Sequence, residues 1–160
     1  MRRRLRPEGL DFLTAAPLRH VFAREVAVPP EAVHRALAVD VEQWPAWFTA
    51  VTRARSTRDG EGREIRLQGG VRFQETVLAA DAPERYAYRV DASNVPGLRG
   101  LVEEWHLTPT ATGTRVRWTF AARARGLPYL VVRFGRRGFE RSFQEAVGRL
   151  EARLAGGGEP

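Results

Sequence analysis

From Val21 to Phe48 the chain reads VFAREVAVPPEAVHRALAVDVEQWPAWF, and this stretch decides the fold. Its first part alternates. Over His20 to Val28 the residues Phe22, Arg24, Val26 and Val28 share one face, the period-two pattern of a strand. Pro29 and Pro30 end that ladder by removing donors, and Pro30 suits the first turn of a helix. Glu31 to Ala38 follows as the helix, with Val33 and Leu37 on one side and Glu31 near the positive end of its dipole. Asp40 stands where an N-cap belongs and opens a second short helix through Trp44 and Trp47.

Beyond Phe48 the period is two again. Val51 to Arg58 ends in the turn Asp59-Gly60-Glu61-Gly62. Arg63 to Gln68 sets Ile65 and Leu67 against Glu64 and Arg66. Val71 to Ala80 sets Val71, Phe73, Glu75 and Val77 against Arg72, Gln74 and Thr76. Arg85 to Ala92 carries Tyr86, Tyr88 and Val90 on one face. Leu101 to Thr108 carries Leu101, Glu103, Trp105 and Leu107, and Arg115 to Ala121 carries Val116, Trp118 and Phe120. Such alternation predicts an antiparallel sheet with one buried and one wet face.

The period then changes to helical, with Phe139, Phe143, Val147, Leu150 and Leu154 on one stripe. Such a helix is not stable alone and must lay its stripe on an apolar surface, for which the concave face of the sheet is the candidate. Leu127 to Phe134 reads as an earlier segment of it. A kink or break is expected around Gly135 and Gly138, each of which weakens helix by about 1 kcal/mol. The predicted fold is α+β, a helix-grip architecture. A curved antiparallel sheet of about seven strands wraps a long C-terminal helix, two short helices follow the first strand, and a cavity lies between sheet and helix.

A chain of 160 residues with 43% hydrophobic and 28% charged residues reads as one globular domain. The expected division is an N-terminal extension over 1–19, the helix-grip domain over 20–155 and a flexible tail over 156–160. No apolar run reaches the roughly 18–20 residues that span a bilayer. Met1 to Arg6 looks like the basic end of a signal peptide, but Glu8, Asp11 and Pro17 interrupt any apolar core after it, so a cytoplasmic location is expected. With no cysteine there is no disulfide framework and no thiol chemistry. His20, His34 and His106 lack ligand spacing, so neither metal nor other cofactor is expected.

The net charge is +7 and every basic residue is arginine. Lysine-free composition beside abundant Ala, Gly, Pro and Val reads as the codon bias of a GC-rich genome, so nucleic acid is not the expected partner. The arginines still concentrate at residues 2–6 and at Arg123, Arg125, Arg133, Arg136, Arg137 and Arg141, which keeps contact with an anionic membrane surface open.

Four segments carry a family resemblance: Val26-Ala27-Val28-Pro29-Pro30-Glu31-Ala32-Val33, Trp44-Pro45-Ala46-Trp47, Trp105-His106-Leu107-Thr108-Pro109, and Gly113-Thr114-Arg115-Val116-Arg117-Trp118-Thr119-Phe120. In their order and spacing the chain resembles the START/Bet v 1-like (SRPBCC) superfamily, in its bacterial polyketide cyclase/dehydrase-like branch, over roughly residues 20–155. The resemblance implies the helix-grip fold. It leaves the activity open, because that superfamily includes lipid carriers, receptors, cyclases, ribosome-associated proteins and chaperone activators.

Polar residues on the cavity side are the candidates for chemistry. Parity puts Glu75 and Glu103 among Val, Phe, Trp and Leu, and Arg24 on the inner side of the first strand. A carboxyl there would be pushed up in pKa and could act as acid or base. Phe73, Tyr86, Tyr88, Trp105, Trp118 and Phe120 complete an apolar wall, with Trp47, Phe139 and Phe143 contributed by helices. The expected function is binding of a hydrophobic or amphipathic small molecule, lipid-like or polyketide-like, for sequestration or transport, by a monomer or weak homodimer. The alternatives are a cyclase or dehydratase using Glu75 or Glu103 in the same cavity, and a basic adaptor for ribosome, RNA or anionic membrane.

Overall fold

The structure, a computed structural model, describes residues 1–157. The strands are β1 (Arg3–Arg4), β2 (Leu18–Val26), β3 (Val51–Thr57), β4 (Gly62–Leu67), β5 (Arg72–Asp81), β6 (Arg85–Ser93), β7 (Leu98–Pro109) and β8 (Thr114–Ala124). The helices are α1 (Phe12–Ala15), α2 (Pro30–Ala38), a 3-10 helix over Val41–Ala46, α3 (Leu127–Phe134) and α4 (Arg136–Gly156). The sheet runs β2-β8-β7-β6-β5-β4-β3, with every neighbouring pair antiparallel. Its logic follows from the opening stretch. After β2, the prolines and two short helices carry the chain to the far edge of the sheet, and a meander then returns strand by strand until β8 pairs with β2.

The helix-grip reading holds, with local differences of physical interest. The second short helix is a 3-10 helix containing Pro45, which has no N–H to give an α-helical ladder. Asp40 makes no capping bond and lies 3.6 Å from Arg35 instead. Trp44 fastens this helix to α2 by donating from Nε1 to the Leu37 carbonyl at 3.0 Å. The break before the terminal helix falls at Gly135, whereas Gly138 is accommodated inside α4. Phe143, Ala146, Val147 and Leu150 of α4 are buried in the main core with Phe22, Trp105 and Trp118.

The N-terminal residues are part of the sheet. β1 pairs with the end of β6, and Leu5 and Arg6 donate to the carbonyls of Asp91 and Arg99, filling the gap where β6 and β7 diverge. Phe12 and Leu13 pack with Val102 and Ala121 as a separate cluster. α4 closes at Gly156, and the rest of the expected 156–160 tail, residues 158–160, lies outside the described residues. Among the described residues no helix is long and apolar enough to cross a membrane.

Gly113, in the β7–β8 turn, marks where this meander presses on the β2–α2 connection. A Cβ there would meet the Val26 carbonyl oxygen at 2.0 Å and the Val28 nitrogen at 2.9 Å, both backbone atoms. Gly113→Ala is therefore expected to cost about 2–3 kcal/mol in urea unfolding. Gly138→Ala, which meets open space inside α4, should instead stabilise by about 0.5–1 kcal/mol. Equal effects of the two changes would contradict this packing.

Candidate functional site

The inner face of the sheet carries a polar row among hydrophobic residues. Arg63 on β4 stands directly opposite Glu75 on β5, and Tyr88 on β6 directly opposite Glu103 on β7. The Arg63 guanidinium grips the Glu75 carboxylate with Nε at 2.7 Å and Nη2 at 2.6 Å from the same oxygen, Oε2. Its remaining surface is covered by rings: its carbon lies 3.9 Å from the Tyr88 centroid, 4.4 Å from Trp44 and 5.5 Å from Tyr86. Nη1 has no hydrogen-bond partner among the described residues, and these aromatic faces are what it meets. Arg63 and Glu75 are only 2% and 3% exposed, so the pair forms a sealed floor.

Glu103 is the more open member, at 9% exposure. Its Oε1 accepts from Trp118 Nε1 at 2.9 Å, while Tyr88, across the strand, accepts at its hydroxyl from Trp105 Nε1 at 3.1 Å. Burial pushes the Glu103 carboxyl up to about 8, and the nearby Glu75 charge adds to it against the pull of Arg63, Trp118 and Tyr88. At neutral pH Glu103 is thus mainly a neutral acid with a proton to donate. Burial opposes the charge on Arg63, but Glu75 together with Tyr86 and Tyr88 more than restores it, and the guanidinium stays cationic. Burial also raises the Glu75 carboxyl, against the pull of Arg63. Both tyrosines are raised, chiefly by burial, and remain neutral donors.

Above this row lies a cavity of about 850 Å³, partly open to solvent. Of the residues expected at the site, Phe73, Glu75, Tyr88, Glu103, Trp118, Phe120 and Phe139 line it. Tyr86, Trp105, Phe143 and Trp47 do not: they are fully buried in the main core. Trp47 lies in the aromatic stack of Trp44, Phe48 and Trp105, and it is Trp44 and Phe48 that reach the cavity. Arg24 is on the inner face but in the wrong row. It pairs across with Val116, four residues along β2 from His20, whose partner Phe120 stands opposite Glu103. From there Arg24 reaches α4, donating to the Gln144 carbonyl at 3.0 Å and facing Glu151 at 3.8 Å.

Arg63 is the important residue that the sequence reading passed over. It shares parity with Ile65 and Leu67, which marks it as inward, but a charged residue at a strand start is ordinarily taken as solvated. The rim of the cavity, formed by Val95 to Leu98 and by Arg125 to Pro128 with Val131 and Val132, comes from a loop and α3, which carry no strand parity to read.

A curved sheet closed by a long helix, with an apolar internal cavity and a few convergent polar groups, defines a helix-grip domain with a small-molecule pocket. The chain belongs to the polyketide cyclase / dehydrase and lipid transport family, whose model matches residues 19–155. A START superfamily protein from Mycobacterium smegmatis shares the fold at a TM-score of 0.69 and 12% identity, over 86% of this chain and 97% of that one. The ginseng major latex-like protein 151 does so at 0.70 and 10%, over 85% and 96%. Protein MLL2253 from Mesorhizobium loti does so at 0.67 and 22%, over 89% and 99%. A search of the curated proteins finds no match in sequence. The family and the likenesses make this a hydrophobic-ligand-binding fold.

Two predictions follow from the row. Arg63→Met leaves Glu75 buried without its counter-charge and should cost about 3–5 kcal/mol in urea unfolding, much of it recovered in Arg63→Met/Glu75→Leu. A single change costing under about 1 kcal/mol would sink the description of a sealed pair. For Glu103, the folded pKa of about 8 exceeds the ordinary 4.5, so the folded state holds a proton that the unfolded chain has lost. The sign is that stability from this group is fully present below about pH 4.5 and is lost as pH rises to about 8. Relative to Glu103→Gln, the wild type should lose on the order of 4 kcal/mol across that interval. Parallel stability curves for the two would contradict the shift.

Proposed function

We propose that the protein binds a hydrophobic or amphipathic small molecule, lipid-like or polyketide-like, in this cavity and holds it for sequestration or transport. The observation that carries the reading is the contrast between the two parts of the interior. One is packed with interlocking aromatic rings, and the other leaves about 850 Å³ unfilled. Protein interiors leave few voids larger than a water molecule, whereas small-molecule sites occupy about 300–1,000 Å³ with apolar walls and few polar groups. The ligand body lies against Phe73, Leu101, Phe120 and Phe139, and its oxygen approaches Glu103. A neutral acid donates a hydrogen bond, which suits a carbonyl or hydroxyl oxygen.

One feature favours a second reading, a cyclase or dehydratase in the same cavity. A carboxyl held near pKa 8 can protonate a carbonyl and, once ionised, accept a proton, as ring closure or dehydration requires. The ion-paired Arg63 and Glu75 border the cavity beside this group and are closed on each other.

Native mass spectrometry of protein purified from a GC-rich bacterial host is expected to show a co-purified small molecule. Ser142→Trp, which projects bulk from α4 into the cavity, should weaken binding of that molecule, or of a fluorescent amphipathic probe, at least about tenfold. Unchanged binding would place the ligand elsewhere. Glu103→Gln separates the two readings: a carrier keeps its affinity within about threefold, whereas a catalyst still binds and stops turning over.

A further inference from the structure

Helix α3 is amphipathic in the opposite sense from α4. Leu127, Leu130, Val131 and Phe134 fall at the i, i+3, i+4, i+7 positions of one stripe, and they are 72%, 50%, 52% and 73% exposed. Val132 is the one buried residue of the helix, and its carbonyl is held by the His20 ring, with Nε2 at 2.6 Å. The helix is thus held to the sheet through Val132, which belongs to the core cluster of Leu18 and Ala122, and turns its apolar stripe to solvent. Leu127 and Val131 also border the cavity, so the stripe is continuous with the cavity wall.

Cationic charge adjoins the same rim. The pairing of β1 with β6, and of Arg6 with Arg99, gathers Arg4, Arg6, Arg99, Arg123 and Arg125 around a cleft of about 410 Å³. Arg125 borders both this cleft and the apolar cavity. Arg123 faces Glu8 at 3.7 Å; among the described residues the other four form no ion pair, nor do Arg133, Arg136 and Arg137 at the far end of α3. Elsewhere on the sheet Arg24, Arg55, Arg63, Arg85, Arg89 and Arg117 have an acid, while Arg3, Arg19, Arg53, Arg66, Arg72 and Arg115 form no ion pair among the described residues but are not gathered around a cleft at the cavity rim.

We propose that α3 docks this protein on an anionic lipid bilayer, its outward stripe entering the acyl boundary while the arginines at either end of the helix hold lipid phosphates, so that the cavity mouth opens onto the membrane. An exposed apolar stripe bordered by unpaired arginines matches such a surface in both halves of its chemistry. A second copy meeting this face about a two-fold axis would bring arginines against arginines. RNA would meet the charge but find a stripe of Leu127, Leu130 and Val131 with the single ring of Phe134, where bases need a platform of several aromatic rings. The proposal rests on the carrier reading only for what passes through the mouth.

The test is co-sedimentation with vesicles of phosphatidylcholine alone and of phosphatidylcholine with one-quarter phosphatidylglycerol. Binding should require the anionic lipid and weaken steeply with salt. Leu130→Ser/Phe134→Ser and Arg99→Glu/Arg137→Glu should each reduce it at least about tenfold. None of these four side chains lines the cavity, so binding of the soluble fluorescent probe should stay within about twofold of wild type and certify the fold. Absence of vesicle binding, or binding indifferent to both variants, overturns the proposal. So does a dimer that Leu130→Ser/Phe134→Ser converts to monomer without any vesicle binding, or tighter salt-sensitive binding to single-stranded RNA than to vesicles. Vesicle binding without probe binding would leave the docking surface standing and remove the carrier reading.

Discussion

The interior of this domain is organised by one buried cation. Arg63 sits at 2% exposure, and a guanidinium so placed has to be neutralised and covered on all sides. Glu75, directly across the strand pair, supplies the charge, and Trp44 and Tyr88 supply the faces. The position of the 3-10 helix follows from this. Trp44 is tied on one side to the Leu37 carbonyl of α2 and packed on the other against Arg63, so the opening stretch of the fold is pinned to strands far along the chain. The protonation of Glu103 follows too. The Arg63 charge is taken up mainly by Glu75, and its residual pull does not offset the burial of a second carboxyl nearby. The row is close to electrically neutral, which lets it line an apolar cavity.

That neutrality bears on what the cavity accepts. An unpaired carboxylate would hold water around it, and an unpaired guanidinium would select anions. Here the ion pair is closed on itself and the open group is an uncharged acid, so the site offers a hydrogen bond without a net charge. The proposed ligand, with its apolar body and an oxygen, fits such a wall better than a salt does.

Strand parity is legible in the sequence because a sheet with one wet face imposes it residue by residue. It correctly placed Glu75, Glu103, Tyr88, Trp118 and Phe120 on the inner side. Parity gives the face but not the row. Rows depend on register, and β5–β6 shifts register between Gln74 and Glu75 and again between Val77 and Ala79. On the other side of β7 the β2–β8–β7 pairing puts His20 and Phe120 in the row of Glu103 and sets Arg24 with Val116 and Leu107, so Arg24, inward by parity, comes to rest against α4 rather than beside the two glutamates. Arg63 shows the converse: the pattern that identified Ile65 and Leu67 applied to it as well, but its partner lies on another strand, and a buried charge is credible only once the partner is known. Tyr86, Trp105 and Phe143 are indistinguishable from cavity residues by pattern, since core and cavity wall present the same alternation.

The same cluster settles which end of the cavity is closed. Trp44, Trp47, Phe48, Trp105, Trp118 and Phe143 interlock at ring separations of about 5 to 6 Å, so the end reached by the short helices is packed core. At the other end Gly135 breaks the terminal helix, and α3 departs from the stripe that α4 keeps on the sheet. The break sets α3 at the rim of the cavity, where Leu127, Val131 and Val132 form part of its wall while Leu130 and Phe134 face solvent.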